Sequence, residues 1–251
     1  VLLRSAAADT QPVIMNTRVP FSADGFVNSA SLMQGQRRYT SLVPVQLDRL
    51  AAKVSESPVL QALLSFDAIL VGGQSPNAKS MRLLKQLGVK VIESYGMAET
   101  CGGCVYDGRA LDGVNVEVID GLVAVSGSTL ANGLGEKYLS NDLGELHEGL
   151  LRVIGRSDRV IISGGKKVSL DTIERLVLDV PGVKEVMAVA TQSQWGQSPG
   201  LLVVADGISE NQIAADIDVE VKPEIVKLVQ DLPRLSSGKP DYLAAVELIK
   251  D

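Results

Sequence analysis

At 251 residues the chain is long enough for one large domain or two moderate ones, and 45% apolar residues support a sizeable core although aromatics are only 4%. Lys and Arg number 24 against 30 Asp and Glu, and the net charge of −6 argues against a broad electrostatic footprint for nucleic acid, while leaving room for a local basic pocket. No apolar run approaches the roughly eighteen residues of a membrane-spanning helix, so neither nucleic acid nor membrane is an expected partner.

The chain opens Val1-Leu2-Leu3-Arg4 without an initiator Met, which reads as the interior of a longer protein. Pro12 to Asn16 reads as a short buried strand, and residues 19–36 as loop plus a weak helix. Arg38 to Val43 is a strand running into Pro44, a good first helical residue, and Leu47, Leu50, Ala51 and Val54 share one face of the helix that follows. Phe66 to Val71 is an apolar strand ending in Gly72-Gly73. A helix from Asn77 to Leu87, closed by Gly88, precedes a second strand from Val89 to Ile92 and the loop Ser94-Tyr95-Gly96. This strand–helix–strand run argues for a parallel sheet with its ligand at the carboxyl ends of the strands.

After Gly113 the pattern turns to β. Val114 to Ile119 alternates, Asp120-Gly121 signals a hairpin and Leu122 to Val125 returns. Strands follow at Lys137 to Ser140, Gly144 to His147 and Leu150 to Ile154. From Arg156 onward a smaller α+β unit is expected. It holds strands Val160–Ile162 and Lys166–Ser169, a helix over 170–180, strands at Val186–Ala190 and Leu201–Ala205, and helices over 209–217 and from Tyr242 to Ile249. Cys101 and Cys104 form one C-x-x-C. A zinc site would need two more ligands, which the lone His147 cannot supply, so reduced thiols are the expectation.

Several stretches carry chemistry. In Ile92-Glu93-Ser94-Tyr95-Gly96-Met97-Ala98-Glu99-Thr100, Tyr95 offers a ring, Glu99 an oxygen ligand for a hard cation and Thr100 a hydroxyl. Val71-Gly72-Gly73-Gln74 would let backbone lie against a planar base. Tyr138-Leu139-Ser140-Asn141-Asp142 places a carboxylate in an Asn-Asp stretch. Gly155-Arg156-Ser157-Asp158 and Ser163-Gly164-Gly165 precede a helix start, and Leu232 to Lys239 ends in Ser-Ser-Gly-Lys. Each alone could be an ordinary turn or a solvated loop.

Together, in this order, they resemble the adenylate-forming superfamily, which includes the acyl- and aryl-CoA synthetases. The resemblance covers essentially all of residues 1–251, and these correspond to the later two-thirds of such an enzyme. It implies an α/β fold: the C-terminal part of a large domain over 1–156, comprising a parallel α/β sheet over 1–105 and a β-rich, barrel-like part over 106–156. A small mobile α+β domain over 157–251 follows, hinged at Asp158. It further implies catalytic roles for Lys239 and Glu99, with Glu99 as the Mg²⁺ ligand. Nucleotide contacts fall to Gly72, Gly73, Gln74, Tyr95, Gly96, Thr100, Asp142 and Arg156, CoA contacts to Ser163, Gly164 and Gly165, and substrate contacts to Ser41 and Gly73. ATP, Mg²⁺ and CoA are the implied cofactor and substrates in a cytoplasmic acid–thiol ligase. Self-assembly into a homo-oligomer stays open.

Arg38 to Leu47 and the run Glu99-Thr100-Cys101-Gly102-Gly103-Cys104 narrow the resemblance to the branch that ligates o-succinylbenzoate to CoA in menaquinone biosynthesis. Another acyl- or aryl-CoA synthetase, or an inactive nucleotide- or CoA-binding module, are the alternatives. The chain departs from the pattern at Ala98, where the family carries Thr, and at Val45, also usually Thr. The family's upstream phosphate-binding loop has no counterpart here, so the chain by itself is not expected to turn over ATP.

Overall fold

The computed structural model describes residues 2–16, 18–193, 196–235 and 239–250. The chain divides into two compact units. One comprises Val1–Val116, Val125–Tyr138 and His147–Leu151, and the other Glu117–Ala124, Leu139–Leu146 and Arg152–Asp251.

In the first unit, α1 (Leu2–Ala7) and α2 (Ala23–Ser31) precede β1 (Tyr39–Leu42), α3 (Pro44–Ala51), α4 (Ser57–Leu64), β2 (Ala68–Gly72), α5 (Ala78–Gln86), β3 (Val91–Met97), β4 (Gly102–Tyr106) and β5 (Arg109–Ala110). Their sheet runs β1-β2-β3-β4-β5. The first three strands are parallel, with Leu42 opposite Val71 and Gly72 opposite Ser94, and β4 and β5 turn antiparallel. Helix starts follow local chemistry: Ser22 Oγ accepts from the Gly25 N–H, Pro44 opens α3, and Asn77 Oδ1 accepts from the Lys79 N–H. The apolar faces of these helices meet the sheet in a core that includes Phe26, Leu47, Leu50, Leu63, Ile69, Val71, Leu84 and Val91.

Three expectations need correction here. Pro12 to Asn16 forms no strand; the segment joins no ladder, and Ile14 is 73% exposed rather than buried. The strand expected to end at Ile92 continues to Met97 because β4 pairs with its far end, so Tyr95 and Gly96 lie in β3 and not in a loop. Helix α4, absent from the expectations, buries Val59, Ala62 and Leu63 at helical spacing behind Pro58.

A four-stranded sheet follows in chain order: β6 (Val114–Ile119), β7 (Leu122–Gly127), β8 (Lys137–His147) and β9 (Leu150–Arg156). Positive φ at both Asp120 and Gly121, and again at Glu148 and Gly149, makes the tight hairpin turns. The two strands expected at 137–140 and 144–147 are one, since Asn141-Asp142 continues β8 instead of breaking it.

The second unit ends in an α+β fold: β10 (Val160–Ser163), β11 (Lys166–Ser169), α6 (Leu170–Leu178), β12 (Val183–Ser193), β13 (Gly196–Ala205), α7 (Glu210–Asp216), β14 (Ile225–Leu228) and α8 (Tyr242–Lys250). The sheet order is β11-β10-β13-β12, with β14 parallel to β13. Strand β14 was not expected. Along β13, Leu201 and Val203 join a core with Ile173, Val177, Ile213 and Ile217, while Leu202 joins another with Met187, Leu232, Ala245 and Ile249. Cover on both faces explains why this strand reads as a continuous apolar run.

Candidate active site

In the first unit a cleft of about 550 Å³ opens beyond the carboxyl ends of β2 and β3. Ser41, Gly72, Gly73 and Gly96, all singled out from sequence, line it together with Gln46, Met97, Cys101 and Tyr106, which were given no role there. Two of the glycines are sterically required. A Cβ on Gly72 would stand 2.6 Å from the Ser94 carbonyl oxygen, and one on Gly96 would overlap the Gly102 carbonyl across the β3–β4 bulge. At Gly72 and Gly96 the wall is therefore bare backbone. Gln74 lies exposed beyond β2, and Tyr95 is half-buried within β3; neither lines the cleft.

The β3–β4 connection is a single 3₁₀ turn, Ala98–Thr100, and it carries Glu99. Thr100 is 1% exposed, and its hydroxyl accepts from the Met97 N–H (3.0 Å) and donates to the Gly102 carbonyl (2.7 Å). That hydroxyl is committed to holding the turn. Glu99 is gripped at two points by one later segment: its carbonyl accepts from the Ala131 N–H at 2.8 Å and its carboxylate from the Tyr138 hydroxyl at 3.1 Å. Sequence alone gave Tyr138 no task, because the pairing spans 39 residues. Cys101 and Cys104 are both free, and burial pushes the Cys104 thiol above its ordinary pKa.

In the second unit Arg156, the last residue of β9, brings two candidate residues together. Its Nη1 lies 3.4 Å from Asp142 Oδ1, while Nε and Nη2 fork onto Asp158 at 2.9 and 2.6 Å. The hydrogen bond from Arg156 holds the Asp158 carboxyl below the usual carboxylate range. Asp142 is itself set by Ser140, whose buried hydroxyl accepts from the Asp142 N–H and donates to the Val123 carbonyl.

Next to this turn lies a network that the sequence did not announce. Arg159, with 11% of its side chain exposed, pairs with Asp171 and with Glu174 (2.6 Å), donates to the Ala188 carbonyl (3.3 Å) and stacks 4.1 Å over the Tyr242 ring. The Ala188 N–H donates back to Glu174 at 2.8 Å. One guanidinium thus serves two carboxylates. Burial outweighs its attraction at Glu174, whose pKa rises to about 7; burial, then the Glu174 charge, lifts Tyr242 to about 12.

Ser163 ends β10 and is buried, and Gly164 and Gly165 turn with positive φ into open space. Lys239 is exposed. Its carbonyl accepts from the Leu235 N–H at 2.9 Å, and a bridge between Arg234 and Pro240 closes the loop; Ser236, Ser237 and Gly238 lie outside the described residues. Among the described residues no cluster of three metal-ligating side chains exists.

No family model matches the chain. Its fold is similar to the crystal structure of ATP-bound MatB from Rhodopseudomonas palustris, with a TM-score of 0.79 and 24% identity over 92% of this chain and 54% of that one. It is also similar to O-succinylbenzoate Coenzyme A Synthetase (MenE) from Bacillus subtilis in complex with AMP, with a TM-score of 0.74 and 22% identity over 89% of this chain and 53% of that one. The fold is that of the adenylate-forming enzymes. A Mycobacterium tuberculosis protein named "Probable 2-succinylbenzoate--CoA ligase" is 33% identical over 270 residues, covering 98% of this chain and 70% of that protein. The chain belongs to the 2-succinylbenzoate–CoA ligase family, and it spans about half the length of the two solved structures.

Proposed function

We propose that the protein carrying this chain is an ATP-dependent ligase that activates o-succinylbenzoate as its acyl adenylate and passes it to CoA for menaquinone synthesis in the cytoplasm. The observation that carries the reading is the cleft beyond parallel strands, walled in part by glycine backbone, in the same unit as a Glu99 carboxylate held at two points. Flat backbone at Gly72 and Gly73 suits an adenine ring, with Ser41 toward the acyl group. Asp142 and Arg156 face each other as acceptor and donor for the ribose hydroxyls.

A lone carboxylate with hard oxygen donors fits Mg²⁺, which is commonly held by one or two carboxylates and by substrate phosphates. Bound there, the cation would neutralise charge developing on the phosphate oxygens. Glu99 would hold it, and the Tyr138 hydroxyl fixes the Glu99 carboxylate. Lys239 supplies a positive charge where the carboxylate oxygen attacks the α-phosphorus and pyrophosphate leaves. In the second step the segment from residue 157 turns about Asp158, so that Lys239 withdraws and Ser163-Gly164-Gly165 meets the pantetheine arm while the CoA thiol displaces AMP. With Ala98 in place of Thr and the Thr100 hydroxyl engaged, backbone N–H groups of the 98–100 turn are the donors left for the adenylate phosphate.

The test has two parts. AMP titrated into the purified chain should bind saturably and lose affinity in Asp142→Ala. In the complete gene product, o-succinylbenzoate should drive ATP–pyrophosphate exchange and thioester formation. There Lys239→Ala should lower adenylation by roughly 10²–10³ while sparing thioester formation from presynthesised acyl adenylate. Equal loss in both half-reactions would remove Lys239 from its role, and exchange driven equally by unrelated acids would remove the substrate.

A further inference from the structure

We infer that Asp171 is the positioning residue for the Arg156–Asp158 turn, an inference that deepens the proposed nucleotide-binding reading and rests on it. The two oxygens of Asp171 serve opposite sides of Asp158. Oδ2 accepts from the Arg156 main-chain N–H at 2.8 Å, and Oδ1 takes the Nε of Arg159. Arg159 is itself fixed by Glu174, the Ala188 carbonyl and the Tyr242 ring. Asp171 therefore ties the backbone of Arg156 to an anchored cation, independently of what the Arg156 guanidinium binds.

Asp171 is well placed for the task. It lies in the first turn of α6, where a negative charge is favoured, and Ser169 caps that turn by accepting from the Thr172 N–H at 3.2 Å. A second, independent observation comes from Gly155. Its backbone is not in the left-handed region, so glycine is not needed there for conformation. A Cβ at Gly155 would instead stand 2.6 Å from Asp171 Oδ2, 3.0 Å from Asp171 Cβ and 3.2 Å from Asp171 Cγ, the three nearest atoms. The missing side chain makes the seat for the carboxylate. Gly155 and Asp171 thus act as one device, and disturbing either should release Arg156 in the same way.

The experiment is a double-mutant cycle on the purified chain with AMP as the probe. It uses Gly155→Ala, Asp171→Ala and the double variant, with the isosteric Asp171→Asn as replacement should the alanine variant not fold. Amide exchange at Arg156 is read by NMR and AMP affinity by titration. Each single variant should speed Arg156 exchange by roughly tenfold and weaken AMP by about five- to tenfold. In the double variant the Oδ2 and Cγ contacts are gone and only the 3.0 Å approach to the Cβ of residue 171 is left, so its effects should fall well short of the product of the two single variants. Unchanged Arg156 exchange in Asp171→Ala overturns the inference, as does a double variant whose effects multiply. If AMP fails to bind even the unsubstituted chain, the nucleotide reading falls, and the exchange cycle still decides whether Asp171 positions the turn.

Discussion

Around Glu99 the chain positions its groups largely with backbone: glycines whose absent side chains let strands close up, a one-turn 3₁₀ connection, and main-chain carbonyls that accept from the Ala131 N–H and the Thr100 hydroxyl. Around Asp158 it positions them with charge, through Arg156, Arg159, Asp171 and Glu174. Backbone geometry costs nothing to desolvate beyond the peptide itself and responds little to pH. A buried charge network is stable only as a whole, because each member removed leaves another unpaired. The two regions should therefore fail differently.

The largest expected effect is in the charged region. Arg159→Leu leaves Asp171 and Glu174 facing each other without their shared cation, and should cost about 3–5 kcal/mol in urea unfolding. A loss under about 1 kcal/mol would mean that the network contributes packing and no electrostatics. Next is the backbone-built region. Gly96→Ala sets a methyl against the Gly102 carbonyl and should cost about 1–3 kcal/mol with no pH dependence, read from unfolding at pH 5 and 8.

The third prediction uses the raised pKa of Glu174. Folding takes up a proton where the unfolded carboxyl is ionised and the folded one is not. The corresponding stability is complete below the unfolded pKa near 4.5 and is lost as pH rises to about 7. Wild-type stability should fall across that window by on the order of 1–3 kcal/mol relative to Glu174→Gln, whose profile should be flatter. Parallel profiles would show that Arg159 keeps Glu174 ionised throughout. The smallest effect belongs to Tyr138→Phe, which removes one hydrogen bond from Glu99. About 1 kcal/mol is expected, read as a weaker Mg²⁺ requirement curve for nucleotide binding with little change in melting temperature.

The same contrast governs how much was legible in the sequence. The β1–β3 run was readable because its signals are local: Pro44 opens a helix, Asn77 caps one, and Gly88 closes it with positive φ. The cleft glycines were readable for the same reason, as paired glycines directly after apolar strands. Where long-range pairing decides, reading failed. Tyr95 was expected in a loop because β4, which extends β3, is visible only as a partner. Asn141-Asp142 looked like a turn until continuous pairing made β8 one strand. Ile225–Leu228 is a strand through its parallel register with β13. The charge network is the extreme case, since Arg159 finds its partners 12, 15 and 29 residues along the chain, and no local pattern marks them.

The antiparallel pairing of β12 with β13 runs from Ser193↔Gly196 outward to Val183↔Ala205 without a residue from any other element. Pairing of neighbours in sequence carries a small closure entropy, so these contacts are expected early on a folding route, before β10 and β14, which lie more distant in the chain, dock at β13. Arg159 needs Ala188 of that hairpin already in place, and Tyr242 of α8 as well. The ion network is therefore expected to be completed after the hairpin, and Arg159→Leu should then raise the unfolding rate while leaving the folding rate unchanged. Interactions absent from the transition state leave the folding rate alone and slow only the way out. On that order of events the charges around the turn would act as a kinetic lock on a fold that the apolar hairpin has already chosen.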